Sequence, residues 1–600
     1  MTVCSVFRVA LGISLAGIWA MAQTGANTGL EGTVKDGTGA VVPGVSVTLL
    51  RVDTGERRMV TTDDTGRWEA RLLSPGTYRV TFERGGFKKL VQEGVTVSTS
   101  EVATLNVELQ VGELGQSVEV VADAEMISSS SATVVRTLDR KELESLPTSS
   151  RNFTQLLMIE PGVSADISEL LSNDNASISP SVNGARTTSN SFVFNGVDVT
   201  NLLCCNSRIN GEQGTIDQGG GSLSRNMAPA PETLEEVKLQ TSLYDAATGR
   251  NGGGNFQLVS KSGTNQFRGT LYHYLQNEKF IANDFFYNRA GVARPQLRRN
   301  EGGGTLGGPI IRNRFFFFGS YQRTQASTSF VDAANNILRM PQALTDDRSD
   351  EGINQFVRAI WPAASGPVNL SVVNPISRAL LKARYPDGTY LIPSGANGTD
   401  CRRVGTQVAA SCLVASVIPA TYHQNQFSTN LDYQLSSANR LRGRFFFADQ
   451  PSVDPLANSR ALSRYERNKN TVQRTISLTD THIISPTTAN EFRAGFFRNR
   501  NDTMAVPYFT NEQFGLKNPL AGIRPDLSSF DIRGDRDAGD RFHFGTLEDN
   551  TLDVQNSFTY GNTLTIVKGR HSVKIGGEWR KNQLNGNLQE LKNGRKNLRG

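Results

Sequence analysis

From residue 264 onward the chain alternates polar and apolar residues in a two-residue rhythm that leaves few folds open. The densest example is Arg440-Leu441-Arg442-Gly443-Arg444-Phe445-Phe446-Phe447. Successive side chains of a strand point to opposite faces, so the three arginines share one face while Leu441, Phe445 and Phe447 share the other. Asn425 to Leu435 repeats the pattern, with Phe427, Leu431, Tyr433 and Leu435 opposed to Gln426, Ser428, Asn430, Asp432 and Gln434. Nine strands are predicted in this way: Phe267–Leu275, Arg299–Gly307, Phe315–Arg323, Asn425–Leu435, Arg440–Phe447, Thr471–Ile483, Asn490–Arg498, Thr551–Asn562 and His571–Arg580. Their connections alternate in length. Gly308 to Arg314, Ser436 to Asn439, Ile484 to Ala489 and Thr563 to Arg570 are short, and the others are long, Thr324 to Gln424 the longest. A soluble sandwich shares the alternation but does not explain this parity, whereas an outer-membrane β-barrel requires it. An arginine facing lipid at the midplane costs roughly 2–4 kcal/mol, so Arg440, Arg442 and Arg444 are expected to line the interior.

Composition narrows the remaining possibilities. The chain has 600 residues, more than one ordinary core organises. With 38% hydrophobic residues and 5 cysteines, it matches neither a helical membrane protein nor a disulfide scaffold. The net charge of +6 is spread over both signs without a basic run, and no groove-reading motif accompanies it, so nucleic acid is not an expected partner. One apolar run stands at the N-terminus: Arg8, then Val9 to Trp19, then the small-x-small site Ala20-Met21-Ala22 before Gln23. It is shorter than the ~20 residues a membrane helix needs, and residues 1–22 read as an export signal peptide. Cys4 precedes the apolar core and is not placed to become a lipidated first residue.

Residues 29–111 alternate in short bursts, Leu30/Val34, Val45/Val47/Leu49, Trp68/Ala70/Leu72, Tyr78/Val80/Phe82 and Ala103/Leu105/Val107/Leu109, separated by turn signals such as Asp36-Gly37 and Pro75-Gly76. Such spacing predicts a β-sandwich. Gly32-x-Val34-x-Asp36, Val42-Pro43-Gly44-Val45-x-Val47, Thr62-Asp63-x-x-Gly66-x-Trp68, Leu73-x-Pro75-Gly76-x-Tyr78 and Gly86-Phe87 resemble the carboxypeptidase regulatory-like domain. Peptidase chemistry does not follow from that likeness. A zinc peptidase needs two histidines and a carboxylate converging on the metal, and this segment has no histidine. His273, His423, His482, His543 and His571 lie far apart, and no nucleophile elbow or phosphate-cradling loop is present. No metal, no cofactor and no enzyme activity are expected, and the sandwich is read as a spacer or docking module.

Residues 112–125 form a linker holding Gln116-Ser117-Val118-Glu119-Val120-Val121-Ala122, an alternating segment without an evident partner in its own domain. It reads either as a last sandwich strand or linker, or as a peptide that adds to another protein's sheet edge. Ser117-Val118-x-Val120-x-Ala122 resembles the box that TonB-dependent outer-membrane transporters offer to the energy-transducing protein TonB. Gln116, Ser117, Val118, Val120 and Ala122 are therefore the candidate TonB contacts. Residues 126–263 resemble that family's plug domain, on Asn183-Gly184-Ala185-Arg186 and on Phe192-Val193-Phe194-Asn195-Gly196-Val197, where the family's Asp-Gly-Val appears as Asn195-Gly196-Val197. Glu235 to Leu275 resembles the passage from plug to barrel, through Gly252-Gly253-Gly254, then Lys261-Ser262-Gly263 and Phe267-x-Gly269. The glycine run lets backbone approach backbone.

The expected fold is thus all-β dominated: an N-terminal sandwich, a mixed α/β plug and a partial antiparallel transmembrane barrel over 264–600, with nine of the roughly twenty-two strands of such transporters. Ending at Gly600 without an aromatic closing strand, the chain reads as the N-terminal part of a longer or prematurely ended protein. The resemblance implies residence in the outer membrane, in contact with its lipid, with the sandwich in the periplasm. It further implies TonB as partner and uptake of an extracellular siderophore, oligosaccharide or peptide, so that carbohydrate binding is one option. The alternative is an exported sandwich-type adhesin or surface structural protein. Cys401 and Cys412 stand close enough for a disulfide, worth about 3 kcal/mol if unstrained. Adjacent Cys204 and Cys205 are either free thiols or a geometrically awkward vicinal pair.

Overall fold

Alternating apolar residues between Gly29 and Leu109 close over one another as two sheets, the first body of the chain. A computed structural model describes residues 28–99, 102–112, 117–121, 133–148, 151–164, 180–186, 189–202, 228–244, 248–249, 252–283, 285–290, 294, 296–329, 337–341, 344–360, 373–392, 394, 403–404, 407–408, 411–415, 419–454, 467–506, 508–517, 527, 529–533, 541–544, 551–569, 571–587 and 595–599. The signal-peptide segment, Cys204, Cys205 and Cys401 lie outside them.

In the sandwich, β1 (Gly29–Asp36) carries β4 (Arg67–Arg71) on one side and β7 (Val102–Thr104) and β8 (Val107–Leu109) on the other. The second sheet runs β3 (Arg57–Thr61), β2 (Ser46–Arg51), β5 (Gly76–Glu83), β6 (Lys89–Val97) and β9 (Ser117–Val121). Leu30, Val34, Val47, Leu49, Trp68, Tyr78, Val80 and Phe82 fill the space between them, with Trp68 edge-on to Phe82 at 5.7 Å. The stretch Ala103–Leu109, expected as one strand, is two. At Leu105 the chain steps onto β1, where a side chain on Gly32 would lie 1.8 Å from the Leu105 carbonyl oxygen, and Asn106 Oδ1 accepts the Thr33 N–H. Strands β3 and β6 escape the alternation rule because Arg57-Arg58 charges one and Gln92-Glu93-Gly94 interrupts the other.

The second body is a mixed sheet in the order β10 (Val134–Asp139), β15 (Leu234–Ser242), β16 (Asn255–Ser260), β13 (Ser191–Phe194), β14 (Val197–Asp198), with β11 (Val163–Ser164) and β12 (Ser181–Val182) as a separate pair. The short helix Arg140–Ser145 starts on a capping box, in which Asp139 accepts the Glu142 N–H and Glu142 reaches back to Asp139. A 3-10 helix follows at Phe153–Ile159. Asn195 and Gly196, at φ of 50° and 80°, turn β13 directly into β14, the positive-φ pair that a two-residue hairpin demands.

The third body is a nine-stranded antiparallel sheet. Its strands, neighbour by neighbour, are β17 (Arg268–Asn277), β18 (Leu297–Ile311), β19 (Phe315–Ser329), then β24 (Pro419–Ser436), β25 (Asn439–Asp454), β26 (Arg467–Ser485), β27 (Thr488–Ala505), β30 (Thr551–Lys568) and β31 (His571–Asn587). Every expected strand is present in the expected order, and each runs further than expected at one end or both. The sheet is open, with β17 and β31 at its ends. Asn430 is fully buried while neighbouring Leu431 is 40% exposed, which assigns the polar row inward and the apolar row outward. Cross-strand aromatic pairs decorate the outside, Phe496 on Phe558 at 5.1 Å and Tyr560 on Trp579 at 5.6 Å.

Short connections 312–314, 437–438, 486–487 and 569–570 lie at one end and long ones at the other. The long connections have architecture of their own. Between β19 and β24 stand β20 (Ile337–Pro341), β21 (Arg403–Val404), β22 (Gln407–Val408), β23 (Ser411–Ala415) and helices Asp350–Ile360 and Pro375–Lys382. Leu344, Ile353, Leu380 and Leu391 form one apolar cluster with Phe514 and Leu527 from the connection between β27 and β30, so two long loops share a core. Replacing Leu431 by arginine should destabilise the folded sheet in membrane by about 2–4 kcal/mol, falling towards zero if the position lies near an interface. Urea unfolding in lipid vesicles, compared with Leu431→Ala, measures it.

Candidate functional site

The inner sheet meets the inward face of the nine-stranded wall across a surface that is apolar at its centre and polar around it. At the centre, Phe194 and Val197 share a buried cluster with Phe446 of β25 and Phe497 of β27, and Phe194 meets Phe446 edge-on at 5.4 Å. The Asn195-Gly196-Val197 turn is the point of the hairpin. Ser477 donates to the Asn195 carbonyl at 2.9 Å, the Asn195 side chain accepts from both the N–H and hydroxyl of Ser260 at 3.0 Å, and Gly495 leaves room for Val197, which a side chain there would strike at 2.6 Å.

Around that centre the inward amides of the wall hold backbone of the inner sheet. Gln426 accepts from Ala230 N and donates to Ala228 O, both at 3.0 Å. Gln555 accepts from Leu202 N at 2.8 Å and donates to Thr200 O at 3.0 Å. Asn430 donates to Ser260 Oγ and to Lys261 O. Both ends of Gln426 and Gln555 are used, which fixes the seat of the backbone they grip.

Charges at this surface are paired. Arg151, before the 3-10 helix, bonds Glu232, in the 3-10 turn that leads into β15, and, at 3.0 Å, Glu301 of β18. Its guanidinium lies 3.5 Å over the Tyr274 ring, and Arg299 bonds Glu301 at 3.0 Å. Two arginines therefore face two glutamates, and burial raises the Glu232 carboxyl against the pull of Arg151. On the far side Arg580 of β31 bonds Asp198 of the hairpin and Glu578. Arg444 bonds Asp432 at 2.7 Å and the Ser262 hydroxyl at 3.0 Å.

The sandwich closes the short-connection end. Arg440 bonds Glu56 at 2.5 Å, and also the Ser74 hydroxyl and the Leu72 carbonyl. Asn265 N donates to the Asp53 carbonyl at 2.9 Å, and its side chain bonds Asn313 in the 312–314 turn. Against the inner sheet, Thr99 donates to Glu236 and accepts from Lys238, each at 2.8 Å. Arg440, Arg442, Arg444, Glu491 and Arg493 line a cavity of about 120 Å³ between the three bodies.

The candidate residues fall in several separate places. Asn195, Gly196, Val197, Lys261, Ser262 and Gly263 lie at the interface; Lys261 bonds Glu144, and a side chain on Gly263 would meet the Phe317 carbonyl oxygen at 2.2 Å. At Gly253 and Gly254 side chains would strike Asn190 and, in β12, Val182 below 3.0 Å, whereas Gly252 has open space. Asn183 and Arg186 sit on an exposed turn, where the Asn183 side chain donates to the Thr241 carbonyl at 2.8 Å. Ser117, Val118 and Val120 lie in β9 on the sandwich, and Gln116 and Ala122 fall outside the described residues. Cys412 lies in β23, and its pairing with Cys401 likewise falls outside them. Sequence reasoning missed Arg151, Glu232, Glu301, Asp198 and Arg580, whose partners lie 81 to 382 positions away. The local sign, for Glu301 and Arg580, is an opposite charge two positions away on the same inward row, Arg299 and Glu578.

Two outcomes follow. Gly263→Val has no space and should prevent the inner sheet from seating, seen as protease cleavage within 228–260 that the parent resists. Burial alone would raise the Glu56 carboxyl, but Arg440, Arg51 and the Ser74 hydroxyl outweigh it and hold it below its ordinary 4.5. A carboxyl lowered by docking stabilises the docked state above its free value and loses that contribution as pH falls through the lowered one. The sandwich–wall contact should therefore hold at neutral pH and loosen below about pH 4.5, read by crosslinking of the sandwich to the barrel rim. Glu56→Gln should flatten that dependence.

Residues 29–110 match the carboxypeptidase regulatory-like domain, and residues 259–600 match the family described as outer membrane beta barrel domain. The TonB-dependent transporter Oar of Myxococcus xanthus is 26% identical over 306 residues, covering 48% of this chain and 26% of that protein. Similar solved structures include the outer membrane transporter YddB from Escherichia coli, at 12% identity and a TM-score of 0.47, covering 75% of this chain and 48% of that one. The siderophore receptor PirA from Acinetobacter baumannii has 12% identity and a TM-score of 0.41, with the same coverage. The chain thus spans about a quarter of the curated relative and about half of the solved ones. These relatives are transporters and receptors, not enzymes. With more than half of its length in that match, the chain belongs to the outer membrane β-barrel family and resides in the outer membrane.

Proposed function

We propose that the chain serves TonB-coupled uptake of an extracellular ligand across the outer membrane, with the sandwich in the periplasm. In this reading residues 29–111 are the docking sandwich, 112–125 the coupling segment, 126–263 a displaceable plug and 264–600 wall. The observation that carries it is the chemistry of the interface around the Asn195-Gly196-Val197 hairpin. Around the small apolar centre of Phe194, Val197, Phe446 and Phe497, the inner sheet is gripped through side-chain amides, hydroxyls and ion pairs of the wall, including Gln426, Asn430, Ser477 and Gln555. A hydrogen bond exchanged with water contributes only about 0.5–1.5 kcal/mol net, so such a seat yields to a pull as water enters. A dry apolar seam would not.

The pull has a short route. Ser117–Val121 precedes β10, the edge strand of the inner sheet, with only residues 122–133 between them. The name of the Myxococcus relative supports TonB as the source of force. The ligand is proposed at the level of siderophore, oligosaccharide or peptide, captured on the long-connection side, where the shared core of Leu344, Ile353, Leu380, Leu391, Phe514 and Leu527 offers a structured surface.

Deleting Gln116–Ala122 tests the coupling. The deletion should leave the protein in the outer membrane with unchanged heat-modifiability on gels. It should abolish retention of the protein by an immobilised periplasmic domain of the host's TonB. Full retention by the deletion would refute the assignment.

A further inference from the structure

The coupling segment is not a free tail in this structure. Ser117–Val121 is β9, paired in parallel with β6 over five positions, Lys89 with Ser117, Leu90 with Val118, Val91 with Glu119, Gln92 with Val120 and Glu93 with Val121. Resting on the coupling role given above to Ser117–Val121, we propose that the Lys89–Glu93 edge of the sandwich is a second binding site for that strand. The sandwich then holds β9 until a periplasmic partner with an open sheet edge takes it by strand exchange.

Four observations carry this. First, β9 is an addition to the sandwich: the carboxypeptidase regulatory-like match ends at residue 110, before β9 begins at Ser117. Val118 of β9 packs against the sandwich core only partly buried. Second, β9 is the last strand of its sheet among the described residues, with β6 as its one neighbour. Its outer edge is therefore available to template a further strand, so a partner can begin pairing before the β6 contact is broken.

Third, the pairing is of the parallel kind, slightly less stable per residue than antiparallel pairing, and five positions long. That suits a contact meant to be surrendered. Fourth, the sandwich is independently fastened, through Glu56 to Arg440 of the wall and through Thr99 to Glu236 and Lys238 of the inner sheet. When β9 leaves, the sandwich has reason to stay, and tension passes from β9 towards β10 rather than into the sandwich core. The same edge recaptures β9 once the partner lets go.

The test locks the pairing. In the full chain, Val91→Cys with Glu119→Cys places two thiols at paired positions, and each single variant serves as control. Oxidised double variant should bind the periplasmic domain of the host's TonB at least tenfold more weakly than the reduced protein, and reduction should restore binding. Equal affinity in both states would overturn the proposal while leaving the coupling role intact, since β9 would then be read in place. Absence of binding by unmodified protein would overturn the coupling role and this proposal with it. Hydrogen exchange supplies the second readout. Adding the TonB domain to unmodified protein should speed exchange at Lys89–Glu93 at least tenfold and leave β2 and β5 unchanged. Faster exchange throughout β2 and β5 would mean that the sandwich unfolds as a whole, and would also overturn it.

Discussion

A guanidinium in the wall of a membrane sheet can face inward or pay several kcal/mol to face lipid, and much of this molecule follows from that choice. Arg440, Arg442 and Arg444 alternate along β25 and so must all look inward. Each then needs an acceptor. Arg440 finds the sandwich through Glu56, Arg442 approaches Glu491 of β27 at 3.5 Å, and Arg444 finds Asp432 and Ser262. One strand thereby touches all three bodies. The polarity that orients the strand also recruits what fills the space behind it.

The joints between bodies obey a second constraint, the room taken by a single carbon. At Gly263 the chain leaves the inner sheet against the carbonyls of Phe317 and Gly308, and at Gly253 and Gly254 it passes Ser189, Asn190 and, in β12, Val182. No side chain fits there. Glycine at these positions is a requirement of packing, whereas Gly252 beside them has open space and no such role is visible.

Legibility in the sequence followed the range of the interaction. The nine wall strands were readable because period-2 alternation is local and because an inward-facing row tolerates Gln426, Ser428 and Asn430 where an outward row does not. The Asn195-Gly196 turn was readable because it needs two positive φ angles in succession. Strands β3 and β6 were not readable, since Arg57-Arg58 and Gln92-Glu93-Gly94 break the alternation while the sheet around them still pairs their backbones. The outer connection was read as a long excursion and is a folded unit, because its core is completed by Phe514 and Leu527 from a different loop.

By itself the sequence determined which residues form strands in the wall and which face of each strand is wet. These depend on neighbours two positions apart. Tertiary structure alone decided which carboxylate meets which arginine, since Glu56–Arg440 and Asp198–Arg580 join positions 384 and 382 residues apart. It also decided the resting place of Ser117–Val121. As text that segment suits either a sandwich strand or a strand offered to a partner, because both need the same alternation. Only the open edge of β6, supplied by a fold assembled upstream, selects where the strand lies when no partner is present.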